Sequence, residues 1–275
     1  KSGFLHDIFR HFCIYNDPVN NNPDKTPIIL YFSAENSQRE DIMRMYVTLK
    51  ENEQNAPVNN IDDIDIEEAS DYISQRLTER GWEVSMQHVD PNEFTHRDLF
   101  SFVLDYEARD YEVHACLFDY LTLVSKKGVE HSGATGDDVR ALMQKVRTFM
   151  LARDILFITP HQLSADALTL KRQGVNDFLA EIVGRNYWKD SKSIANEADL
   201  EVFLDITQHN NKDYLAIHRG KHRTIRAAPK RNVHFYLPFP PQTDGWVSIP
   251  DDLHTGDKSV ENLTGASADM EINLD

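Results

Sequence analysis

The sequence predicts an α/β protein with a doubly wound, mainly parallel sheet flanked by helices, a C-terminal hairpin and an acidic tail. Short apolar runs typical of buried parallel strands alternate with amphipathic helical segments over most of the chain. No internal repeat or low-complexity linker interrupts this alternation. At 275 residues and 40% hydrophobic composition, the chain can bury a substantial core. We therefore expect one domain over residues 1–250, incomplete at its N-terminus, and a flexible acidic tail at 251–275.

Helix and strand signals alternate in the first half of the chain. Phe4, Leu5, Ile8, Phe9 and Phe12 recur at helical spacing and predict an N-terminal helix. The segments that follow are assigned in chain order: strand TPIILYFSAEN, helix SQREDIMRMYVTLKE, a loop at 51–66, helix IEEASDYISQRLTERG ending at Gly81, strand WEVSMQHVD and helix HRDLFSFVLDYEARD.

The apolar run YEVHACLFDYLTLV, residues 111–124, is predicted to be the central strand of the sheet. Helix GDDVRALMQKVRTFMLARD follows, with an acidic first turn, and leads to strand ILFITPHQLS. A polar segment at 165–195 has few strand signals. We expect DLEVFLDITQ and DYLAIHRGKHR to complete the parallel sheet, and NVHFYLPFPPQTDGW to form the accessory hairpin.

The net charge of −16 argues against a protein that coats nucleic acid over its whole surface. The charge is unevenly distributed, so local contact with nucleic acid stays open. Acidic residues concentrate in ENEQNAPVNNIDDIDIEEASD and in the tail, where a solvated face is the simplest explanation. By contrast, HRGKHRTIRAAPKR is strongly basic and follows an apolar, strand-like segment.

Cysteine usage and hydropathy predict a protein of a reducing, cytoplasmic compartment. Cys13 and Cys116 lie in apolar segments, where buried free thiols are expected rather than a disulfide or a ligand pair. The sequence has no run of eighteen apolar residues and no basic-then-apolar signal pattern. Nothing in it therefore indicates a membrane or export.

Several polar residues at predicted strand ends suit a nucleotide hydrolase. Such an enzyme needs a phosphate-binding lysine, a hydroxyl and a carboxylate on magnesium, and a group that orients water. Lys1 and Ser2 begin the first helix, whose N-terminus adds amide groups and a dipole. Asp119 and Glu35 end two apolar strands, and Gln162 follows a third as a candidate sensor of the γ-phosphate. Taken singly, each of these three residues is also explained as an ordinary strand-end or capping residue.

Two cations end the last strand of the predicted sheet. Lys221 and Arg223 flank His222, so strand alternation places both on one face. On an isolated domain they are explained as solvated charges. In a ring they are placed to reach phosphates bound by a neighbouring subunit, as arginine fingers do.

Five segments together resemble the DnaB-type replicative helicases among the RecA-like P-loop ATPases. They are LYFSAENSQREDIMRM, LFDYLTLV, ITPHQLS, KSIANEADLEVFLDI and LAIHRGKHR, in that order and at similar separations, within residues 1–226. Asp-Tyr-Leu-x-Leu at 119–123, Glu-Ala-Asp-Leu at 197–200 and Gly-Lys-x-Arg at 220–223 are specific in combination. The chain looks like a divergent, phage-encoded member, which implies an infected bacterial cell as its location.

The resemblance implies a RecA-like core that forms a hexameric ring around single-stranded DNA and hydrolyses ATP, or another NTP, with Mg²⁺ at subunit interfaces. Lys1 and Ser2 match the Walker A lysine and hydroxyl, with Ser2 also on the metal. Glu35 matches the catalytic glutamate and Asp119 the Walker B, metal-binding aspartate. Gln162 matches the sensor glutamine.

Further matches fall on basic residues. Lys221 and Arg223 match the trans-acting lysine and arginine finger, and Arg219 is a second candidate for the finger. Loops SKKGVEHSGATG and LTLKRQGVNDFLAEIVGRNYWKDSK occupy the places of the family's DNA-contacting loops. They make Lys126, Lys127, Lys171 and Arg172 candidates for phosphate contacts, with solvated loop residues as the alternative.

The sequence departs from the family in three respects. The glycine-rich part of the phosphate loop and the strand before it are missing, so we expect a polypeptide that begins at Lys1 to bind nucleotide poorly. The N-terminal partner-binding domain is missing too, which leaves contacts with primase or loader proteins open. Residues 232–275 have no counterpart and suggest an accessory hairpin and tail.

Two other functions remain compatible with the sequence. A RecA/RadA-type recombinase would use the same fold in an open filament rather than a closed ring. A catalytically degenerate RecA-fold scaffold would use it for assembly without turnover, and the strong negative charge gives that alternative some support.

Overall fold

The computed structural model describes residues 1–130, 132–134, 136–174, 178–190, 193–209, 211–223 and 234–239. These residues form two compact units, the first Lys1–His161 and the second beginning at Gln162. In the part of the chain so described, no helix is both long and apolar enough to cross a membrane.

The first unit is a parallel four-stranded sheet between helices. Its strands lie in the order β2-β1-β3-β4 and all pair in parallel. The elements are α1 (Ser2–Tyr15), β1 (Thr26–Ser33), α2 (Gln38–Gln54), α3 (Ile66–Thr78), β2 (Glu83–His88), α4 (His96–Ala108), β3 (Tyr111–Asp119), α5 (Asp137–Leu151) and β4 (Leu156–Ile158). The prediction of an α/β protein with helices on a parallel sheet, and with residues 111–119 in a central strand, is confirmed.

Alternate residues of β1 pack into two separate cores, one on each face of the sheet. Ile28, Leu30 and Phe32 pack with apolar residues of α4 and α5, whereas Ile29 and Tyr31 pack with those of α1, α2 and α3. A strand covered on both faces requires apolar residues at consecutive positions, which explains the unbroken run at 28–32. The first unit therefore has the doubly wound arrangement, in which helices cover both faces of the sheet.

Both cysteines lie in these cores as free thiols, as predicted. Burial raises the pKa of Cys13 to about 12 and raises that of Cys116 as well. Neither thiol therefore has appreciable thiolate character at neutral pH.

Three element boundaries in this unit differ from the prediction. Strand β3 ends at Asp119 instead of continuing to Val124, because Leu121–Leu123 form a 3₁₀ turn. Leu121 and Val124 are buried and apolar, so in sequence they look like a continuation of the strand. Strand β4 has only three residues. Helix α2 extends to Gln54, and a further 3₁₀ turn lies within the predicted loop.

The second unit contains a three-stranded antiparallel sheet, and here the expected strand direction is wrong. Helices α6 (Ala165–Arg172) and α7 (Phe178–Ile182) and a 3₁₀ turn at Ile194–Glu197 precede β5 (Leu200–His209), β6 (Lys212–His222) and β7 (His234–Pro238). The strand order is β5-β6-β7, with both pairs antiparallel. Only two residues join β5 to β6, whereas a parallel connection needs a crossover of a dozen or more.

Strand β7 lies within the segment expected to form a C-terminal hairpin, and it pairs with β6.

Packing explains why one residue of β6 is a glycine. A Cβ at Gly220 would lie 2.6 Å from the ring of Phe203, which also stacks on Trp188. The predicted tail at 251–275 lies outside the described residues.

Helix α2 begins with a capping box that also bounds the loop after β1. The Ser37 hydroxyl accepts from the backbone N–H of Glu40, and the Glu40 carboxylate accepts from the backbone N–H of Ser37. Substitution Ser37→Ala should lower the free energy of unfolding by about 1 kcal/mol, measured by urea denaturation. An unchanged midpoint and slope would show that the cap does not stabilise the native state.

Candidate active site

The carboxyl ends of β1, β2 and β3 meet at one edge of the parallel sheet. Ser33 is in register with Asp119 on one side and with His88 on the other. The backbone N–H of Ala34 donates to the carbonyl of Asp119 at 2.7 Å, which extends the pairing beyond the last residue of β1. Glu35 follows immediately and is exposed. Glu35 and Asp119 thus follow neighbouring strands at the same edge, as the sequence predicted.

Asp119 carries a carboxylate oxygen that no other described group satisfies. The residue is 0% exposed. Its Oδ2 accepts a long hydrogen bond of 3.4 Å from Nδ2 of Asn36, whereas its Oδ1 has no hydrogen-bond partner among the described residues. A buried carboxylate oxygen without a donor is costly unless a cation approaches it.

The free carboxylate oxygen of Asp119 suits the Mg²⁺ that a nucleotide hydrolase would use. Mg²⁺ prefers oxygen ligands and is held by one or two carboxylates together with substrate phosphates and waters, rather than by a closed protein cage. No group of three or more metal-binding side chains occurs among the described residues. A single free carboxylate oxygen agrees with an ion shared with a substrate.

The start of α1 lies close to this carboxylate. Nζ of Lys1 is 4.4 Å from the ring centroid of Tyr120, the residue after Asp119. Ser2 is the first residue of α1, whose N-terminus has no side-chain cap. A helix N-terminus of this kind attracts anions.

Three polar residues connect α1, the loop after β1 and β3, and sequence reasoning missed all of them. Nδ2 of Asn36 donates to Oδ1 of Asp41 at 3.0 Å as well as to Asp119. Nε2 of His6 lies 3.2 Å from the same Asp41 oxygen, which is within ion-pair distance, but the two atoms do not meet the geometry of a hydrogen bond. His6 and Asp41 are buried polar residues on otherwise amphipathic helices.

The pKa values of neighbouring groups follow from this burial. Burial itself acts to raise the pKa of Asp41, but interactions with His6, Ser33 and Asn36 together outweigh it and lower that pKa below its ordinary value. Asp41 is therefore ionised at neutral pH. The pKa of Tyr31 is raised well above its usual range, first by burial and then by the charges of Asp119 and Asp41.

Gln162 belongs to the second unit. Its backbone carbonyl accepts from the N–H of Lys189 at 2.9 Å, and its Oε1 accepts from the Lys189 ammonium at 3.1 Å. Three residues separate it from the end of β4. An isolated antiparallel bridge between Leu163 and Trp188 lies next to this contact.

Lys221 and Arg223 contact the same 3₁₀ turn, which places them on one face as predicted. The Lys221 ammonium donates to the carbonyl of Ala195 at 2.7 Å, and the Arg223 guanidinium donates to the carbonyl of Asn196 at 2.8 Å. Arg223 also forms an ion pair with Asp199 at 3.1 Å. Arg219 lies opposite Val202 in the β5–β6 ladder. Arg219 and Lys221 are on the antiparallel sheet and Arg223 follows its strand β6, so none of the three is on the parallel sheet that carries Asp119.

The four candidate nucleic-acid contacts have different surroundings. The Lys126 ammonium donates to the carbonyl of Thr122 at 2.5 Å, whereas Lys127 is exposed in the same loop. Lys171, at the end of α6, forms an ion pair with Asp205, and its neighbour Arg172 is exposed. Lys126 and Lys171 thus each have a partner within the chain, although Lys171 is exposed as well.

Comparisons with known proteins agree with this fold. The family model described as Divergent DnaB-like ATPase matches residues 1–272. Among solved structures, one titled as an ATPase domain aligns with a TM-score of 0.61 at 15% identity, over 91% of this chain and 81% of that one. A DnaB-like replicative helicase described with its interactions with primase aligns at 0.55 and 15% identity, over 81% of this chain and 51% of that one. No curated protein sequence matches.

Proposed function

The chain belongs to the divergent DnaB-like ATPase family, and from this premise we propose that it is an ATP-hydrolysing motor on single-stranded DNA. The task we assign to it is that of a hexameric replicative helicase, which hydrolyses nucleotide at its subunit interfaces. The two solved structures share its fold at 15% identity. One is titled as an ATPase domain and the other as a replicative helicase, and these titles support the assignment by analogy.

One observation carries the proposal: the unsatisfied Oδ1 of Asp119, buried at the carboxyl edge of a parallel sheet beside the N-terminus of α1. In open α/β sheets ligands bind in the crevice outside the carboxyl ends of the strands. A helix N-terminus that begins with Lys1 and Ser2 attracts phosphate, and a free carboxylate oxygen attracts Mg²⁺. Together, the helix N-terminus and the free carboxylate oxygen suit the binding of an Mg²⁺–nucleoside triphosphate.

The residues at this edge receive the following roles in the proposal. Lys1 and Ser2 bind the phosphates, with the Ser2 hydroxyl also on the metal that Asp119 holds. Mg²⁺ would neutralise charge on the phosphates, and Glu35, exposed above the edge, would orient the attacking water. Gln162 would sense the γ-phosphate.

The cations of the second unit receive roles toward neighbouring molecules. Lys221 and Arg223 would act on the nucleotide of an adjacent subunit, with Arg219 as the alternative finger. Lys126, Lys127, Lys171 and Arg172 would contact DNA phosphates. Because the net charge is −16, such binding would be local rather than spread over the surface. Primase is a further candidate partner, by analogy with the second solved structure.

The direct test is ATP turnover by the full-length protein with and without single-stranded DNA, together with unwinding of a forked duplex. The proposal expects turnover that DNA stimulates, unwinding that depends on ATP, and closed six-membered rings in electron micrographs. Open filaments that exchange strands would indicate a recombinase instead. Nucleotide binding with no turnover under either condition would indicate a scaffold.

A further inference from the structure

The polar residues beside Asp119 have an arrangement that the proposed motor does not by itself require. Asn36 lies between two carboxylates, at 3.0 Å from an oxygen of Asp41 and 3.4 Å from an oxygen of Asp119. Both carboxylate-bearing residues are buried, at 5% and 0% exposure. Without a hydrogen-bond donor between them, these two buried negative charges would repel each other.

The orientation of the Asn36 amide follows from the chemistry of its partners. A carboxylate accepts hydrogen bonds and cannot donate them, so the amide must direct its NH₂ group, with its two donors, at Asp41 and Asp119. That arrangement occupies Oδ2 of Asp119 and leaves Oδ1 as the free oxygen. The amide thus selects which oxygen of Asp119 is available to a cation.

Asp41 and His6 hold the amide in place from the other side. His6 is 2% exposed, and its Nε2 lies 3.2 Å from the Asp41 oxygen that accepts from Asn36. The His6 ring also packs edge-on against Tyr31 of β1, with ring centroids 4.8 Å apart. His6 is on α1, only four residues after Ser2. The contacts therefore form a continuous path from the helix that begins with Lys1 to the carboxylate at the end of β3.

We propose that Asn36, held by Asp41 and His6, is the positioning residue that orients Asp119 for Mg²⁺ and fixes the loop that carries Glu35. The proposal rests on the proposed function, since it concerns the same metal. Asn36 directly follows Glu35, and its backbone N–H also donates to the Ser33 hydroxyl at 3.4 Å. Residues that hold a metal ligand in this way often change metal affinity by about 10- to 100-fold when replaced.

The test measures nucleotide binding and Mg²⁺ affinity separately in the full-length protein. Binding of a fluorescent ADP analogue is titrated in EDTA and then across Mg²⁺ concentrations. Half of the Mg²⁺-dependent gain in nucleotide binding is reached at a certain Mg²⁺ concentration. We expect Asn36→Leu to raise that concentration by about 10- to 100-fold and to leave binding in EDTA unchanged. A merely structural role would weaken binding in EDTA and in Mg²⁺ to the same extent.

A matched control and a second variant keep the result interpretable. Gln38→Leu makes the same kind of change at an exposed position two residues away, and it should leave the Mg²⁺ titration unchanged. Asp41→Asn keeps the side-chain shape but replaces the carboxylate that orients the amide, so it should shift the titration in the same direction. It serves as the test if Asn36→Leu does not fold.

The outcomes separate this inference from the proposed function. A wild-type protein that binds nucleotide with Mg²⁺, together with folded variants whose Mg²⁺ titration equals the wild type, overturns the positioning role and leaves the motor intact. A wild-type protein that shows no Mg²⁺-dependent binding overturns both.

Discussion

Replacement of Arg223 by alanine is expected to lower DNA-stimulated ATP turnover by about 10³- to 10⁵-fold, the range that arginine fingers contribute. The guanidinium would stabilise charge on the transferred phosphoryl group of a neighbouring subunit. Nucleotide affinity should change far less than turnover, because the finger acts on the transition state. Initial rates and binding of a fluorescent ADP analogue measure the two separately.

Within its own subunit Arg223 contacts Asn196 and Asp199, so a loss of activity could also follow from damage to the second unit. Arg185→Ala is the matched control, since Arg185 also forms a surface ion pair in that unit, with Glu181 at 2.6 Å. Surface ion pairs contribute only about 0–1 kcal/mol. We expect both variants to melt near the wild-type temperature and only Arg223→Ala to lose turnover.

Mixing experiments test whether Arg223 acts on a neighbouring subunit. Subunits with Arg223→Ala are mixed with subunits carrying Glu35→Gln, each inactive alone. If the arginine acts in trans, an interface in which an Arg223→Ala subunit supplies Glu35 and a Glu35→Gln subunit supplies Arg223 is complete. Interfaces of the opposite orientation carry both substitutions, so turnover should return in part. If turnover stays at the level of the separate variants in rings proven to be mixed, the trans role is refuted.

Replacement of Glu35 by glutamine is expected to lower the turnover number by about 10²- to 10⁴-fold, the range for a group that accepts or orients a proton. Glu35 is exposed, and the substitution keeps its shape, so stability should not change. Binding of Mg²⁺–nucleotide should persist, because Asp119 and α1 are untouched. Rapid-quench measurement of the hydrolysis step checks the rate directly.

Glu93→Gln provides the control for Glu35. Glu93 is also exposed and follows β2, whose carboxyl end lies at the same edge of the sheet. It should retain wild-type turnover. Equal losses in both variants would mean that a general reduction of negative charge, rather than the position of Glu35, explains the effect.

The sequence alone placed Glu35 and Asp119 at one edge of the sheet because the signals for that placement are local. Asp119 and Glu35 each follow a run of apolar residues, and parallel strands bring their carboxyl ends to one edge. The helix that begins with Ser2 shows clear 3.6-residue periodicity. These features do not depend on knowing which elements pack together.

Other features depend on tertiary contacts and could not be read in the same way. His6 and Asp41 look like ordinary polar residues of helices, and only the packing of α1 and α2 against β1 turns them inward. Periodicity also carries no strand direction, so it does not distinguish β5 and β6 of an antiparallel sheet from strands of the parallel one. The Asn210-Asn211 pair between two apolar runs was the available signal for a hairpin.

The central claim is that the edge holding Asp119 binds Mg²⁺ together with nucleotide, and Asp119→Asn tests it most directly. The substitution keeps the shape of the side chain and removes its charge. For the full-length wild type we expect Mg²⁺ to strengthen binding of a fluorescent ADP analogue by at least about 10-fold. The variant should bind the analogue equally well with Mg²⁺ and with EDTA. An Asp119→Asn protein that kept the full Mg²⁺-dependent gain would contradict the claim.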